Sequence, residues 1–538
     1  MRKILFLIVS VCAVIQSTAQ PNNVFNVRDF GATGEKNVLV TKNIQQTIDR
    51  CAASGGGTVY FPPGDYLSGP ITLHSNLQIQ LDACATLLAS RDPKDYTIDS
   101  GYKADQQPTS SFKTTFLRGE NLENISITGM GTIDGQAEQI WNPLAEVDGF
   151  IRFETENAQR VGIPMERAYQ KDPKVRLVYL MFCKNIVIKG VIIKDSPDWN
   201  LHLGRCSEVR IEDIKIRSSL TKGVNSDGID IDACKNVVVS GCIIETGDDA
   251  ICLKTTNLEG EIASCENIIV DNCICTSTST ALKLGTESYG DFKNIHFNNC
   301  IIRNSNRGLS IVVRDGANVS DVKFSNISLE LNRKHFNWWG NADPIWLVVL
   351  KRNENSKVGS IKNVTFDNIS GSCQGTSRIE GFPGKPLENI RFNDVALTIN
   401  SESLPDKRAT HGFLANDVTN LSMYNCELRW NGEKPESNWS SAFVFENIQD
   451  LRLDKISGKQ APRSEEPAIH LSNVQNGIIE RCFAASGTKT FFQVSGVKTK
   501  NLTFRNNYLK NARVAFERTE NVNTSEVNFE TSKNRNND

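Results

Sequence analysis

The chain repeats a short alternation of apolar and polar positions. Asparagine is followed by apolar residues at the first and third following positions. After two further residues comes cysteine or another apolar residue. Clear copies begin at Asn236 (NVVVSGC), Asn267 (NIIVDNC) and Asn294 (NIHFNNC). The phrase returns at Asn420 (NLSMYNC) and Asn476 (NGIIERC), and looser copies begin at Asn124, Asn185 and Asn501. This spacing of roughly 25 to 30 residues is typical of stacked structural repeats.

The repeat predicts short strands joined by turns, because β-branched runs alternate with Gly, Asn, Asp and Ser. One such coil cannot bury its apolar face alone, whereas a stack of coils forms a continuous core. We therefore expect an all-β fold, a right-handed parallel β-helix, forming a single domain over residues 22–530. Residues 531–538 are polar and are expected to form a short tail.

Cysteines align in this repeat, which bears on how the 15 cysteines of the chain are used. Cys242, Cys273 and Cys300 would occupy one column, and a second column would hold Cys183, Cys206, Cys234 and Cys265. Residues of one kind at equivalent positions indicate inward ladders, and buried thiols behave as small apolar groups. We expect free thiols, with a disulfide still open for an isolated residue such as Cys373. The asparagine column is expected to hydrogen-bond backbone at turns.

The N-terminal residues predict export and a capped core. Residues 1–19 combine two basic residues, an apolar run and small residues before Ala19, which is the pattern of a cleaved signal peptide. The protein is therefore expected in the periplasm or outside the cell. Ile44, Ile48 and Cys51 share one face of a predicted helix that would cover the open end of the core.

Composition limits the partners. The net charge is −2, with 23% charged residues, and no segment after the signal peptide could span a bilayer. Neither nucleic acid nor a membrane surface is expected as a partner.

The repeat also places three aspartates together. Asp227 precedes Asp249 by 22 residues, so it would lie one coil away, about 4.8 Å along the stack, with Asp248 beside it. Three carboxylates at that spacing raise at least one pKa, which suits the paired acid and base of glycoside hydrolysis. A solvated turn and a calcium site remain as the other interpretations.

Neighbouring coils extend the same alignment. Thr280 and Arg307 would follow Asp249 in its column, and Trp199 would precede Asp227. His202 would lie beside Asp230, where it either reaches substrate or serves a structural role.

At these residues the chain resembles glycoside hydrolase family 28, the polygalacturonase-like pectin hydrolases. The shared phrases are FNVRDFGATG, GGGTVYFPPGDYLSGPITL, GTIDG, SPDWNLH, NSDGID and GDDAICLK. The resemblance implies an inverting hydrolase of α-linked pectic polysaccharide or oligosaccharide, with Asp248 as general acid and Asp227 and Asp249 acting on the water. Asn225 and Lys254 would support the site and contact sugar. This interpretation includes neither a metal nor a cofactor.

Departures from the family pattern bear on the substrate. Thr280 stands at the position of the family's histidine, and Ser310 and Val312 replace the two cations that bind a galacturonate carboxylate. Their loss favours rhamnogalacturonan or another branched pectin over plain homogalacturonan. Replacement cations could come from Lys283, Arg307 or Arg314, although Arg314 could equally be solvated.

Two insertions interrupt the repeat. Residues 142–174 could narrow a cleft and favour attack at chain ends. The second carries Trp338, Trp339 and Trp346, which could either stack on sugar or pack against the flank of the β-helix. We expect a monomer.

Two other functions remain open on sequence alone. A calcium-dependent polysaccharide lyase of the β-helix type would give unsaturated products. A non-catalytic glycan-binding β-helix would bind without turnover.

Overall fold

The computed structural model describes residues 23–96, 114–143, 149–163, 168–170, 173–258, 260–334 and 340–530. Forty-one strands in these residues form one array of parallel ladders that winds as a right-handed β-helix. Each coil contributes strands to three sheets, which we call sheets 1, 2 and 3. The predicted fold class is confirmed.

Sheet 1 carries the candidate site. Its strands are Ile71–Thr72, Thr115–Glu120, Arg176–Met181, Leu201–Gly204, Ile229–Asp232, Ile251–Thr255, Thr280–Ser288, Arg307–Val313, Ile345–Val349, Ser377–Glu380, Phe413–Tyr424, Phe443–Asp454, Ile469–Ser472, Thr488–Ser495 and Ala512–Arg518.

Sheet 2 follows sheet 1 in each coil. Its strands are Val24–Asn26, Gly57–Phe61, Leu77–Leu81, Glu123–Gly129, Lys184–Lys189, Ser207–Glu212, Lys235–Ser240, Cys265–Asp271, Phe292–Asn298, Asn318–Leu331, Ser360–Cys373, Leu387–Ile399, Gln475–Glu480, Lys500–Arg505 and Val527–Phe529. Phe413–Tyr424 and Phe443–Asp454 continue from sheet 1 into sheet 2.

Sheet 3 completes the coil. Its separate strands are Gly64–Ser68, Ala85–Ala89, Thr132–Asp134, Ile192–Lys194, Lys215–Arg217, Ile243–Thr246, Ile274–Ser277, Ile301–Ser305, Glu427–Trp430, Ser457–Gly458 and Phe483–Ala484. The long strands Asn318–Leu331, Ser360–Cys373 and Leu387–Ile399 run from sheet 2 into it.

Other elements flank the coils. Helix α1 spans Thr41–Ala53 and helix α2 spans Gly149–Arg160. Short 3-10 helices lie at Val27–Phe30, Pro93–Tyr96, Ala137–Gln139 and Thr524–Glu526. Trp141–Pro143 pairs antiparallel with Ala168–Gln170 beside α2. In the described residues, neither helix has the length and apolarity needed to cross a bilayer.

The core consists of like residues stacked from coil to coil. Phe297, Phe324, Phe366 and Phe392 lie face to face, with ring centroids 4.9 to 5.1 Å apart and planes within 6° of parallel. This spacing follows from the strand separation of about 4.8 Å. Burial of these aromatic faces stabilises neighbouring coils against one another.

The cysteine prediction is confirmed for the described residues. Both predicted columns are present in register, and the cysteines outside residues 1–22 are free thiols, buried except for Cys84. Cys373, for which a disulfide had been open, is also a buried thiol.

The asparagine prediction needs a correction. Asn236, Asn267 and Asn294 adopt left-handed backbone conformations, but their side chains bond one another rather than backbone. The Asn267 amide donates to Asn236 at 2.9 Å, and the Asn294 amide donates to Asn267 at 2.8 Å. Asparagine suits both demands, since it tolerates positive φ and carries a donor and an acceptor. We call this set of three residues the asparagine ladder.

The N-terminal cap is confirmed. Ile44, Ile48 and Cys51 of α1 are fully buried on the first coils. The predicted signal peptide and the tail at 531–538 lie outside the described residues, as do Trp338 and Trp339.

Candidate active site

The register of sheet 1 brings the three aspartates together. Ile229 pairs with Ile251, so Asp227 and Asp249, each two residues before these, lie on adjacent coils. Carboxylate oxygens of Asp227, Asp248 and Asp249 all lie within 4.8 Å of one another, and all three residues are buried at the base of a cavity. The predicted juxtaposition is present.

The turn before Asp248 is shaped by close packing. A side chain on Gly247 would meet backbone carbonyls of Ser219 and Gly223 at 2.3 and 2.5 Å, so only glycine fits. From the next coil, the hydroxyl of Thr278 donates to the Gly247 carbonyl and that of Ser277 donates to the Asp248 carbonyl. These hydroxyls fix the direction of both aspartates. Sequence analysis missed them, although the run TSTST one coil later was a visible signal.

Asp249 is held as an ionised carboxylate. Lys283 donates to its Oδ2 at 2.5 Å, and its Oδ1 accepts from the Ser279 hydroxyl at 2.9 Å and the Thr280 amide at 3.1 Å. Burial acts to raise the pKa of Asp249, but the charges of Lys283 and Lys254 and these hydrogen bonds outweigh it. The pKa therefore lies below its ordinary value.

Asp248 is the opposite case. Its Oδ2 accepts from the Asn225 amide at 3.1 Å and its Oδ1 from the Asp249 amide at 2.9 Å. Burial, reinforced by the charges of Asp227 and Asp249, raises the pKa of Asp248 well above its ordinary value. Asp248 is thus the member of the pair that holds its proton more tightly. Asn225 contributes its backbone amide here and also lines the cavity.

Asp227 lies between these extremes. Burial raises its pKa to about 6, against the lowering effect of Lys254, whose ammonium is 3.3 Å from Asp227 Oδ2. Its Oδ1 is buried without a hydrogen-bond partner among the described residues. Lys254 also lies 3.5 Å from Asp230 and 3.4 Å from Glu287. This single ammonium offsets three carboxylates from two coils. Glu287 was not predicted as part of the site.

His202 lies beneath the cavity and not on its wall. It is fully buried, with Arg176 2.8 Å from Nδ1 and Asp232 3.4 Å from Nε2, and the ring of Trp199 packs across it. Burial lowers the pKa of His202 to about 4, so it is neutral at pH 7. The prediction that His202 binds substrate is therefore corrected to a supporting position under Trp199. That tryptophan lines the cavity, and Lys254 lies 4.4 Å from its ring centroid.

The cavity extends from Trp199 towards later coils and has a volume of roughly 580 Å³. This lies within the range of about 300–1,000 Å³ that is usual for small-molecule sites. On its far wall Arg307 and Arg378 share Asp343, each at 3.1 Å, and flank the ring of Trp346. Arg307 thus lines the cavity as predicted, but its charge is largely offset by Asp343.

The residues that replace the expected family pattern are confirmed in register. Thr280 pairs with Arg307, and Ser310 pairs with Lys283. Thr280 and Ser310 are fully buried, and Val312 lines the cavity with an apolar side chain. Arg314 lies at the same wall, half-buried, and its Nε has no hydrogen-bond partner among the described residues.

The three aspartates could in principle provide the ligands of a metal ion. Three carboxylates within 4.8 Å are a plausible set of oxygen ligands for a hard cation. However, Lys283 and Lys254 already contact Asp249 and Asp227. Two ammonium groups supply the positive charge that an ion would bring. The arrangement fits proton transfer between a neutral and an ionised carboxyl better than cation binding.

Two carboxyl groups whose pKa values are shifted in opposite directions, both lining one cavity, are the kind of pair that glycoside hydrolases use as acid and base. The model of glycosyl hydrolases family 28 matches residues 51–412. The chain therefore belongs to glycosyl hydrolases family 28 and is a glycoside hydrolase.

Individual relatives are distant. The chain is similar to a probable polygalacturonase of Vitis vinifera, 25% identical over 69% of this chain and 73% of that protein. It is 23% identical to an endo-polygalacturonase of Pectobacterium carotovorum subsp. carotovorum, over 67% and 85% of the two chains. The family 28 exopolygalacturonase structure from Yersinia enterocolitica superposes with a TM-score of 0.59 at 19% identity, covering 81% of this chain and 79% of that one.

Proposed function

We propose that the protein hydrolyses α-linked, galacturonic-acid-containing pectic polysaccharide or oligosaccharide. The observation that carries the proposal is the contrast between adjacent aspartates, because Asp248 has a strongly raised pKa and Asp249 a lowered one. Pairs of carboxyl groups whose environments separate their pKa values supply the acid and the base of glycoside cleavage. The polygalacturonase names of the sequence relatives support a pectic substrate.

In this mechanism Asp248 donates its proton to the glycosidic oxygen as the bond to the anomeric carbon breaks. Asp249 and Asp227 hold a water, which attacks that carbon and gives up a proton to one of them. Proton transfer from Asp227 or Asp249 through solvent then restores the acid form of Asp248.

The proposal includes inversion of configuration at the anomeric carbon, but the distance between the carboxyl groups does not support inversion. Oxygens within 4.8 Å are closer than the roughly 6.5–9.5 Å usual for inverting enzymes and resemble the roughly 5–5.5 Å of retaining ones. Inversion is supported instead by the state of Asp249. Lys283, Ser279 and the Thr280 amide all donate hydrogen bonds to its two carboxylate oxygens. These bonds make Asp249 a poor nucleophile, and they fix its carboxylate in a position to bind the attacking water.

For the substrate, we propose rhamnogalacturonan or a branched pectin rather than plain homogalacturonan. Val312 is apolar at the wall, Ser310 is fully buried and does not line the cavity, and the charges of Arg307 and Arg378 are offset by Asp343. This favours a neutral sugar next to the scissile bond. Arg314 is the cation through which a more distant galacturonate could be held. Trp338 and Trp339 stay predicted sugar contacts. Export through residues 1–19 and a monomeric state belong to the same proposal.

The test is digestion of paired homogalacturonan and rhamnogalacturonan oligosaccharides, with the product anomer followed by NMR. We expect saturated products, faster cleavage of rhamnogalacturonan, and initial release of the inverted anomer. Unsaturated products that absorb ultraviolet light would instead show a lyase, and binding without turnover would show a glycan-binding module. Faster cleavage of homogalacturonan would overturn the substrate preference alone.

A further inference from the structure

Helix α2 contacts a part of the β-helix that is many coils away from the coils between which it is inserted. It lies between the strands Thr132–Asp134 and Arg176–Met181, yet its Glu154 contacts Arg408, 254 residues later. Eight successive pairings in sheet 1 separate the coil of Arg176 from that of Phe413. At about 4.8 Å a step this is about 38 Å, and because Arg408 also contacts Asn341, two coils before Phe413, the insertion reaches about 29–38 Å along the axis.

The contact is a well-formed ion pair. Arg408 donates from Nη1 to Glu154 Oε1 at 3.0 Å and from Nη2 to Oε2 at 2.7 Å, and the Glu154 side chain is only 3% exposed. Bidentate geometry of this kind fixes direction as well as distance. We call the Glu154–Arg408 pair the latch.

The latch is anchored on the β-helix side. Arg408 also donates to Asp406 at 2.6 Å and to the side chain of Asn341 at 3.1 Å. The backbone amides of Arg408 and Ala409 donate to one carboxylate oxygen of Glu402, which itself pairs with buried Arg333. The loop is therefore held in one conformation, and the helix docks onto a rigid support.

Both latch residues, together with Asn341, line the same cavity as the three aspartates. The aspartates lie near the Trp199 end, and the latch lies towards the other end, beside Arg307 and Arg378, because Arg408 contacts Asn341 next to the Asp343 that both arginines share. An open cleft would let a polymer continue past this point along sheet 1. A helix docked on Arg408 blocks that path.

We propose that the latch closes the cleft at its far end and so makes the enzyme act at chain ends, releasing short products. This inference rests on the proposed function and adds the mode of attack to it. The closed end holds the terminal sugars of the substrate between the latch and Asp248, while the rest of the chain leaves past Trp199. An internal bond of a long polymer cannot then reach the aspartates.

The test reverses the charges of the latch. Glu154→Arg places two cations in contact, and Arg408→Glu places a carboxylate against both Glu154 and Asp406. The double variant restores the attraction between positions 154 and 408, although position 408 still faces Asp406. Lys189→Glu is the matched control, because it places like charges at an exposed pair with Glu212 on sheet 2. Each enzyme is assayed for viscosity loss per new reducing end on pectic polymer and for product length on oligosaccharides.

We expect wild-type enzyme and Lys189→Glu to release short products with little viscosity loss per bond cleaved. Each single latch variant should give longer products and a several-fold larger viscosity loss per bond, and the double variant should return towards wild type. Should a single variant not fold, the double variant and the wild-type product pattern still decide the matter.

Internal cleavage by the wild type, or product patterns that the latch variants leave unchanged, would overturn the inference while leaving the hydrolase assignment intact. The absence of hydrolysis by folded wild type on every pectic substrate would instead overturn the proposed function.

Discussion

The asparagine ladder of sheet 2 and the aspartates of sheet 1 are built by the same repeat and behave in opposite ways. In the ladder the amides of Asn267 and Asn294 each donate to the asparagine one coil earlier, at 2.8 to 2.9 Å, and the Asn236 amide donates to Glu208 at 2.7 Å, so every amide of the column has an acceptor. In the site, Asp227 and Asp249 cannot donate to each other when ionised, and lysines from neighbouring coils offset their charge.

The difference shows what a repeat can and cannot specify. Stacking at about 4.8 Å brings like residues together in either sheet. Neutral amides then form a stable, inert column, whereas carboxylates separate into protonated and ionised members. Reactivity therefore arises where the repeat places groups that cannot satisfy one another.

The largest effect is expected from Asp248→Asn. The amide cannot protonate the leaving oxygen, so kcat/KM should fall about 10²- to 10⁴-fold. The matched control is Asp271→Asn, which changes a carboxylate that accepts hydrogen bonds from Asn298 and Asn299 outside the cavity. Hydrolysis rates on a pectic oligosaccharide measure both. Equal losses in the two variants would mean that the site lies elsewhere.

Lys254→Met tests how far the aspartate column depends on its cations. The variant leaves Asp227, Asp230 and Glu287 without their shared partner, and breaking a buried ion pair costs about 3–5 kcal/mol. We expect a loss of that size in the free energy of unfolding, measured with denaturant at pH 7. Lys189→Met, at an exposed pair, should change it little. A similarly small change in Lys254→Met would show that the column is stable without this lysine.

Lys283→Met should alter the pH dependence of activity. Lys283 lowers the pKa of Asp249, so its removal raises that pKa and reduces the ionised fraction at acid pH. The acidic limb of kcat/KM should therefore move to higher pH. The alkaline limb, set by the proton on Asp248, should also move to higher pH, because Lys283 lowers the pKa of Asp248 as well. Lys323→Met, at a surface pair with Asp367, provides the control profile. An unmoved acidic limb would exclude Asp249 as the ionised group.

The smallest effect concerns the ladder itself. Asn267→Ala removes two amide hydrogen bonds and places alanine at a φ of 59°, which together should cost about 1–2 kcal/mol. Asn267→Gly loses the same hydrogen bonds but accepts that φ, so it should be less destabilising than alanine. Denaturant unfolding measures both, and activity should be unaffected. Equal stability of the two variants would show that backbone strain contributes nothing.

The sequence predicted most of what the repeat controls. The parallel β-helix, the capping face of α1, the two cysteine columns and the meeting of Asp227 with Asp249 all follow from residue spacing. Each depends on local periodicity, which one chain displays directly.

Features set by non-repeating contacts were missed or misplaced. The latch joins residues 254 apart through an insertion, and no periodicity connects them. His202 occupies its predicted register, but the ring of Trp199 covers it. Register predicts the position of a residue along the axis and does not predict whether a neighbouring side chain buries it. The direction of the asparagine hydrogen bonds, along the column and not to backbone, was mispredicted for a similar reason. Periodicity showed the column, and only the left-handed backbone directs the amides along it.

The buried thiol columns become reactive only when the β-helix opens, so thiol reactivity can be used to follow unfolding. Burial raises the pKa of the Cys265 thiol, among others, and the thiolate is the reactive form of cysteine. In the folded β-helix the buried thiols are therefore protected from oxidants and alkylating agents. Opening a coil exposes cysteines spaced about one coil apart, each able to form a non-native disulfide with its neighbour. Resistance to oxidation is thus a property of the assembled stack. The rate of thiol labelling, coil by coil, would measure how locally the solenoid opens.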